Sequence, residues 1–231
     1  MRKFPTALLI AGLSVTSVFA ADDLEKLRDR QDRAALNQSA AALSAAAEKS
    51  PNDANAWYRA AIAQSLLAEV AMELNDKLGS QKAAEEGAKQ ADKAIALNPT
   101  NADYYRVEGT LCGQIIPANP IMGALTYGRR AKDALDKAVE MNPKSPKAFI
   151  AHGVGYYYLP VNFGGGPENA MKDFRQALAL DPKSAEAYLW IGIAQRKLKK
   201  NTEAREAFTK SLQLDPDRLW TKSMLDKTPP Q

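Results

Sequence analysis

The stretch SAEAYLWIGIAQRKLKKNTEAREAFTKSLQLDP, residues Ser184 to Pro216, reads as two helices separated by a short polar break at KLKKN. Apolar residues recur at helical spacing on both sides of the break. Ser184 is a good N-cap for the first helix. Pro216 cannot continue the second, because its ring fixes φ and removes an amide donor. In the first helix Tyr188 is followed four residues later by Gly192. In the second, Ala204 is followed four residues later by Phe208, and Ser211 stands one turn beyond. A small residue on each helix lets two backbones approach, while the aromatics fill the space toward the next pair.

The same unit recurs toward the N-terminus. The closing apolar–polar–proline signal appears as ALDP at Pro182, EMNP at Pro143, ALNP at Pro99 and, weakened, AEKSP at Pro51. From Pro51 to Pro216 the spacings are 48, 44, 39 and 34 residues. Six residues after each of the first four prolines stands an aromatic: Trp57, Tyr105, Phe149 and Tyr188. Four residues later comes a small residue: Ala61, Gly109, Gly153 and Gly192. In the second helices Ala170 pairs with Phe174 and Ala131 with Leu135, and Gly87 with Ala91 is the weakest copy. Ala94, Ala138 and Ala177 match Ser211. Asp53, Asn101, Ser145 and Ser184 follow the prolines as N-caps.

These residues resemble a tetratricopeptide repeat (TPR) protein, over about residues 54 to 216. The last spacing, 34 residues, is that family's repeat length. The resemblance implies an all-α, right-handed TPR solenoid of four helix A–helix B repeats within residues 51–216. The alanine-rich residues 21–50 are expected to form an N-terminal capping helix. Residues 217–231 are expected to form a C-terminal capping helix and tail, with Trp220 and Met224 covering the last repeat.

Subtracting 34 from the longer spacings leaves 14, 10 and 5 extra residues, which are expected between helices A and B. In the first repeat helix A runs on and helix B starts near Ser80. In the second the extra piece is GQIIPANPIMGALTYG, Gly113 to Gly128. In the third it is LPVNFGGGP, Leu159 to Pro167. Insertions at one point of successive repeats emerge on one edge of a stacked array. These are apolar, with Ile121 and Phe163 among them, and two readings stay open. Either they pack as a lid, or they wall a ligand pocket or partner groove. The glycines match neither a dinucleotide fingerprint nor a P-loop. They make a plain turn, or offer amides to an anion at the helix start. The elongated repeats and the LP…GG turn are also similar to the TPR component associated with TRAP-type periplasmic transporters, and to the regulators of microtubule dynamics.

Residues 1–20 read as a secretory signal peptide. Arg2 and Lys3 precede an uncharged apolar run from Ala7 to Phe19, and Val18-Phe19-Ala20 offers a cleavage site. Ala21 stands where a lipoprotein would carry cysteine, so a soluble exported chain is expected, periplasmic or secreted, with no transmembrane segment after cleavage. Cleavage leaves 29 basic against 27 acidic residues, a net charge of +2, which gives no argument for nucleic acid. The single Cys112 cannot form an internal disulfide.

Chemistry is sparse. No nucleophile elbow, HExxH, CxxC or paired-carboxylate signature appears, so no catalytic residue, metal site or cofactor is assigned and the protein is read as a non-enzyme. The Asp and Glu residues read as solvated faces. Glu108 and His152 occupy equivalent packing positions on neighbouring A helices and are expected to form a buried polar pair, structural or ligand-binding. The TPR resemblance places Tyr58, Arg106, Tyr157 and Arg196 on the concave face made by the A helices. The candidate binding set is therefore Tyr58, Arg106, Glu108, Ile121, His152, Tyr157, Phe163 and Arg196. The expected ligand is a protein or peptide, with a small apolar molecule as the alternative.

Overall fold

A computed structural model describes residues 21–230, with side chains from Asp23 onward. The expected signal peptide lies outside the described residues. Those residues form a helical array with no strand among them. The helices are α1 (Ala21–Asp29), α2 (Arg33–Lys49), α3 (Ala54–Glu73), α4 (Lys77–Leu97), α5 (Ala102–Ile115), α6 (Pro120–Gly123), α7 (Arg129–Met141), α8 (Pro146–Tyr158), α9 (Pro167–Leu180), α10 (Ala185–Lys197), α11 (Asn201–Leu214) and α12 (Leu219–Asp226). α3, α5, α8 and α10 are the A helices. α4, α7, α9 and α11 are their B partners, each packed antiparallel on its own A helix. The result is a TPR solenoid.

The caps work as their residue types require. The side chains of Asp53, Asn101, Ser145 and Ser184 accept amide hydrogens in the first turns of α3, α5, α8 and α10. Trp57 Nε1 donates to the Pro51 carbonyl at 3.0 Å, and Tyr105 Oη to that of Pro99 at 3.1 Å. The aromatic thus ties each of these two A helices to the proline turn before it. The small residues sit at close crossings. A Cβ on Gly192 would stand 2.5 Å from Phe208, and one on Gly153 2.5 Å from Phe174. Both phenylalanines are fully buried.

In the first two repeats the extra residues are placed differently from what the spacing predicts, and in the third they lie between the helices as expected. The first repeat keeps the same short turn as the last: Leu74-Asn75-Asp76 against Leu198-Lys199-Lys200, with Asn75 and Lys199 both at φ near +60°. Its 14 extra residues lengthen both helices, 20 and 21 residues against 13 and 14. Seven residues are about two turns, so each helix grows without rotating its buried face. Helix B accordingly starts at Lys77 rather than Ser80. In the second repeat Asn119 caps a helix that begins at Pro120, passes through a wide π turn at Ala124–Gly128 and continues into α7. Most of that insertion is therefore an N-terminal extension of helix B. Only the third is a true loop.

The N-terminal segment is two helices rather than one. The chain breaks at Arg30–Asp32, where Gln31 takes a left-handed φ of 52°. α2 packs on α3 as the cap of the array. α1 turns away from it. At the other end α12 lays Trp220 and Met224 against α10 and α11.

Candidate functional site

α1 lies across the concave face. Its Leu24 is buried in the core cluster of the first repeats, with Leu27 beside it. Glu25 receives Lys147 Nζ of α8 at 2.9 Å, and Arg28 lies 3.5 Å from Glu186 of α10 and 3.9 Å from Glu69 of α3. α1 therefore spans the A helices from the first repeat to the fourth.

Beneath it is a charged cluster of two guanidiniums and four carboxylates: Arg28, Arg218, Asp29, Glu69, Glu73 and Glu186. Arg218, the residue before α12, is 2% exposed. It donates to Glu69 at 2.6 Å and to Glu73 at 2.5 and 3.1 Å, while its Nε lies 3.6 Å from Asp29. Gln31 adds a bond to Glu73 at 2.8 Å. The last repeat is thus joined to the first across the groove. Four carboxylates exceed two cations, and burial pushes Glu69 up to about 8 against the pull of Arg28 and Arg218. Burial likewise holds Asp29 above the usual carboxylate range. These acids are not the solvated faces the sequence suggested. The available signal was Glu69 and Glu73, four apart, in the otherwise apolar SLLAEVAME run of α3.

The concave-face candidates are engaged within the fold. Tyr58 donates to Asp103 and packs against Tyr104 with the rings tilted by 35° and their centres 4.8 Å apart. Asp103 also receives Arg106 Nη2 at 3.0 Å, so Tyr58, Asp103 and Arg106 form one network joining the first two repeats. Tyr157 meets Trp190 edge-on at 6.0 Å. Arg196 points Nη1 at the Met224 sulfur, 3.4 Å away.

Glu108 and His152 do not pair with each other. Each precedes the small residue that faces its own B helix, so its side chain is carried to the B side. Arg130 Nε of α7 donates to Glu108 at 2.7 Å. His152 sits between Asp173 of α9 (Nδ1, 2.8 Å) and Asp136 of α7 (Nε2, 3.0 Å). Burial lowers the His152 pKa, but the two carboxylates outweigh it and raise the value above the ordinary one. Cys112 is buried and its thiol is pushed up to about 12, which removes it as a nucleophile. Among the described residues no group of three or more His, Cys, Asp or Glu could hold a metal ion.

Ile121 and Phe163 are on the surface, 76% and 70% exposed. With Met122, Leu125, Tyr158 and Val161 they stand open on the A–B edge of the second and third repeats, and Leu74 and Leu78 continue the edge on the first. These exposed side chains form no sealed lid over the neighbouring helices. Two recesses of about 520 and 360 Å³ lie on the later repeats, and neither is lined by an insertion residue. The glycine loop is a turn. The amides of Gly164, Gly165 and Gly166 donate to the carbonyls of Val161, Pro160 and Tyr156, so none is left for an anion. Gly164 and Gly166 take φ of 83° and 101°, and a Cβ on Gly165 would strike the Leu159 carbonyl at 1.9 Å.

The fold and these surfaces define the class, a TPR-type protein-interaction module. The chain belongs to the family described as regulator of microtubule dynamics protein 1-3, whose model matches residues 20–161; a tetratricopeptide repeat model matches residues 164–218. It is similar to regulator of microtubule dynamics protein 3 of Bos taurus, 25% identical over 173 residues. That alignment covers 68% of this chain and 36% of the relative. It is also similar to small glutamine-rich tetratricopeptide repeat-containing protein 2 of Mycosarcoma maydis, 35% identical over 98 residues, covering 42% of this chain and 26% of the relative. The chain thus spans well under half the length of these curated relatives. Among solved structures, the thermophilic TPR protein TTC0263 of Thermus thermophilus superposes with a TM-score of 0.62 at 16% identity, covering 88% of this chain and 98% of that one. At that identity the likeness concerns the fold.

Proposed function

We propose that this protein is a non-catalytic, exported scaffold, periplasmic or secreted, that binds a protein or peptide partner along its A–B edge. One observation carries the reading: most of the exposed large apolar side chains gather at the A–B turns of three successive repeats rather than scattering singly. Exposed apolar clusters of this kind mark interaction surfaces. The concave face is occupied by α1, which leaves the edge as the accessible apolar surface. The portion shared with the curated relatives is the repeat array, so a binding module carries over and a whole protein's activity does not. Export is supported by Arg2, Lys3, the apolar run after them and Val18-Phe19-Ala20. No described helix is long and apolar enough to cross a membrane.

A photo-crosslinking residue placed at 121 or 163 in producing cells should give a discrete protein adduct, and one at Thr209, on the exposed side of α11, should not. Adducts that are absent at both edge positions, or equal at all three, would overturn the reading. Native mass spectrometry checks the carrier alternative, since a small molecule retained by the purified chain would displace the scaffold. Intact mass of the exported protein should show Ala21 as its first residue.

A further inference from the structure

A nine-residue helix has no stability of its own in water, where isolated helices shorter than about 12–15 residues are marginal. α1 therefore exists because the groove holds it. What holds it has the form of a ligand contact. Leu24 and Leu27, three apart, enter the core of the first repeats. Glu25 meets Lys147, with Arg106 contributing further positive charge. Arg28 enters the carboxylates of Glu69 and Glu186. Asp23 and Lys26 face solvent. The connection to α2 is three residues long, with Gln31 in a left-handed conformation and its side chain bonded to Glu73.

We infer that α1 is a resident occupant of the concave groove, and that the groove also accepts a partner's amphipathic helix with the same order of residues, Leu-Glu-x-Leu-Arg, once α1 has left it. The groove fixes that chemistry. It offers an apolar trough for two leucines one turn apart, cations at Lys147 and Arg106 for an acidic residue between them, and carboxylates at Glu69 and Glu186 for a basic residue after the second. The inference rests on reading the protein as a binding scaffold and adds a second, gated surface to the A–B edge. An occupant tethered to its own site lowers the apparent affinity of a competitor by the fraction of time the site is open.

The test uses the full chain and a labelled synthetic peptide, ADDLEKLRDRQDR, corresponding to residues 21–33. Leu24→Asp with Leu27→Asp unseats α1 without touching the groove. The peptide should bind this variant about tenfold or more tighter than it binds the unaltered chain. A peptide carrying the same two aspartates should bind neither. Equal binding to both chains, or no binding to a variant that still melts cooperatively, overturns the inference. So does a concentration-dependent dimer of the unaltered chain in which α1 is exchanged between copies. Should the variant fail to fold, hydrogen exchange on the unaltered chain decides. The α1 amides should exchange through local opening well before those of α3, and exchange only through global unfolding would make α1 an integral part of the core. Edge crosslinking that persists while the peptide fails would leave the scaffold reading standing without this inference; peptide binding without edge crosslinks would do the reverse.

Discussion

Arg218 and Glu73 are 145 residues apart in sequence, and their side chains meet at 2.5 Å. Glu73 closes the first long A helix and Arg218 stands at the start of the last helix. Their bond turns an open array into one whose two ends are joined, with α1 clasped between them. Each partner's side chain is 2% exposed, so the pair exchanges hydration for a network that includes Glu69, Asp29 and Gln31.

Removing one member of such a network leaves its partners buried and unpaired, which is far costlier than losing a surface contact. Arg218→Ala should therefore destabilise the chain by about 3–5 kcal/mol. Arg30→Ala, which breaks the exposed pair with Asp217 at 3.1 Å, should cost less than about 1 kcal/mol. Urea unfolding of both variants measures the contrast. Similar midpoints would mean that the joined ends contribute nothing to stability.

The pH dependence has a defined sign. His152 has its pKa raised in the folded protein, so its contribution is complete below the ordinary value of 6.5 and is lost as pH rises through the folded value. Glu69, raised from 4.5 to about 8, acts in the same direction: its neutral form is favoured in the fold, and that stability drains away as pH climbs from 4.5 to about 8. The melting temperature should fall as pH rises from about 6.5 to about 8, where the two contributions overlap. His152→Gln should flatten part of that slope and leave the Glu69 part. A melting temperature that rises over this interval in the unaltered chain would contradict both assignments.

Gly192 and Lys199 test the helix crossing and the turn separately. Gly192→Leu forces bulk against Phe208 where even a Cβ would come within 2.5 Å, and should cost about 3 kcal/mol. Lys199 sits at φ 61° in the short A–B turn, a conformation that costs a side-chain-bearing residue about 1–2 kcal/mol. Lys199→Gly should consequently raise the melting temperature slightly, while Lys199→Val should lower it. Thermal melts of the three variants give the order.

The repeat frame is legible in the sequence because it is local. Pro51 to Pro216, the four caps and the small–aromatic pairs each act within a few residues of where they stand, so spacing alone reveals them. The joined ends are not legible, since nothing in a window around Glu73 or Arg218 points 145 residues away. The break at Gln31 is hidden because the alanine-rich run after it dominates the helical pattern of residues 21–50. His152 stands on its helix as expected, but its partners are not on the adjacent A helix. The side chain before Gly153 is directed toward Asp136 and Asp173 on the B helices. For the second insertion the cue is present as Asn119-Pro120, a cap followed by proline at a first helical turn, and it marks where helix B begins.

The concave-face candidate Tyr157 and the insertion candidates Ile121 and Phe163 are of two kinds. Tyr157 packs against Trp190 at 6.0 Å and Tyr158 at 5.0 Å, and Trp190 in turn meets Trp220 at 5.6 Å. Tyr157→Ala removes the first ring of a chain of aromatics that runs into the C-terminal cap, and each such contact adds about 0.5–1.5 kcal/mol beyond its buried area. It should destabilise by about 2 kcal/mol or more. Ile121→Ser and Phe163→Ser alter side chains that are more than two-thirds exposed, and each should shift stability by no more than about 0.5 kcal/mol. If the edge binds a partner, the latter two should weaken binding by amounts typical of apolar anchors, about 2 kcal/mol or more, while melting as the unaltered chain does. Calorimetric melts beside a binding isotherm for the crosslinked partner separate the two effects. A large melting shift from Phe163→Ser would mean that its ring is buried in solution, and the A–B edge would then be packing rather than a docking surface.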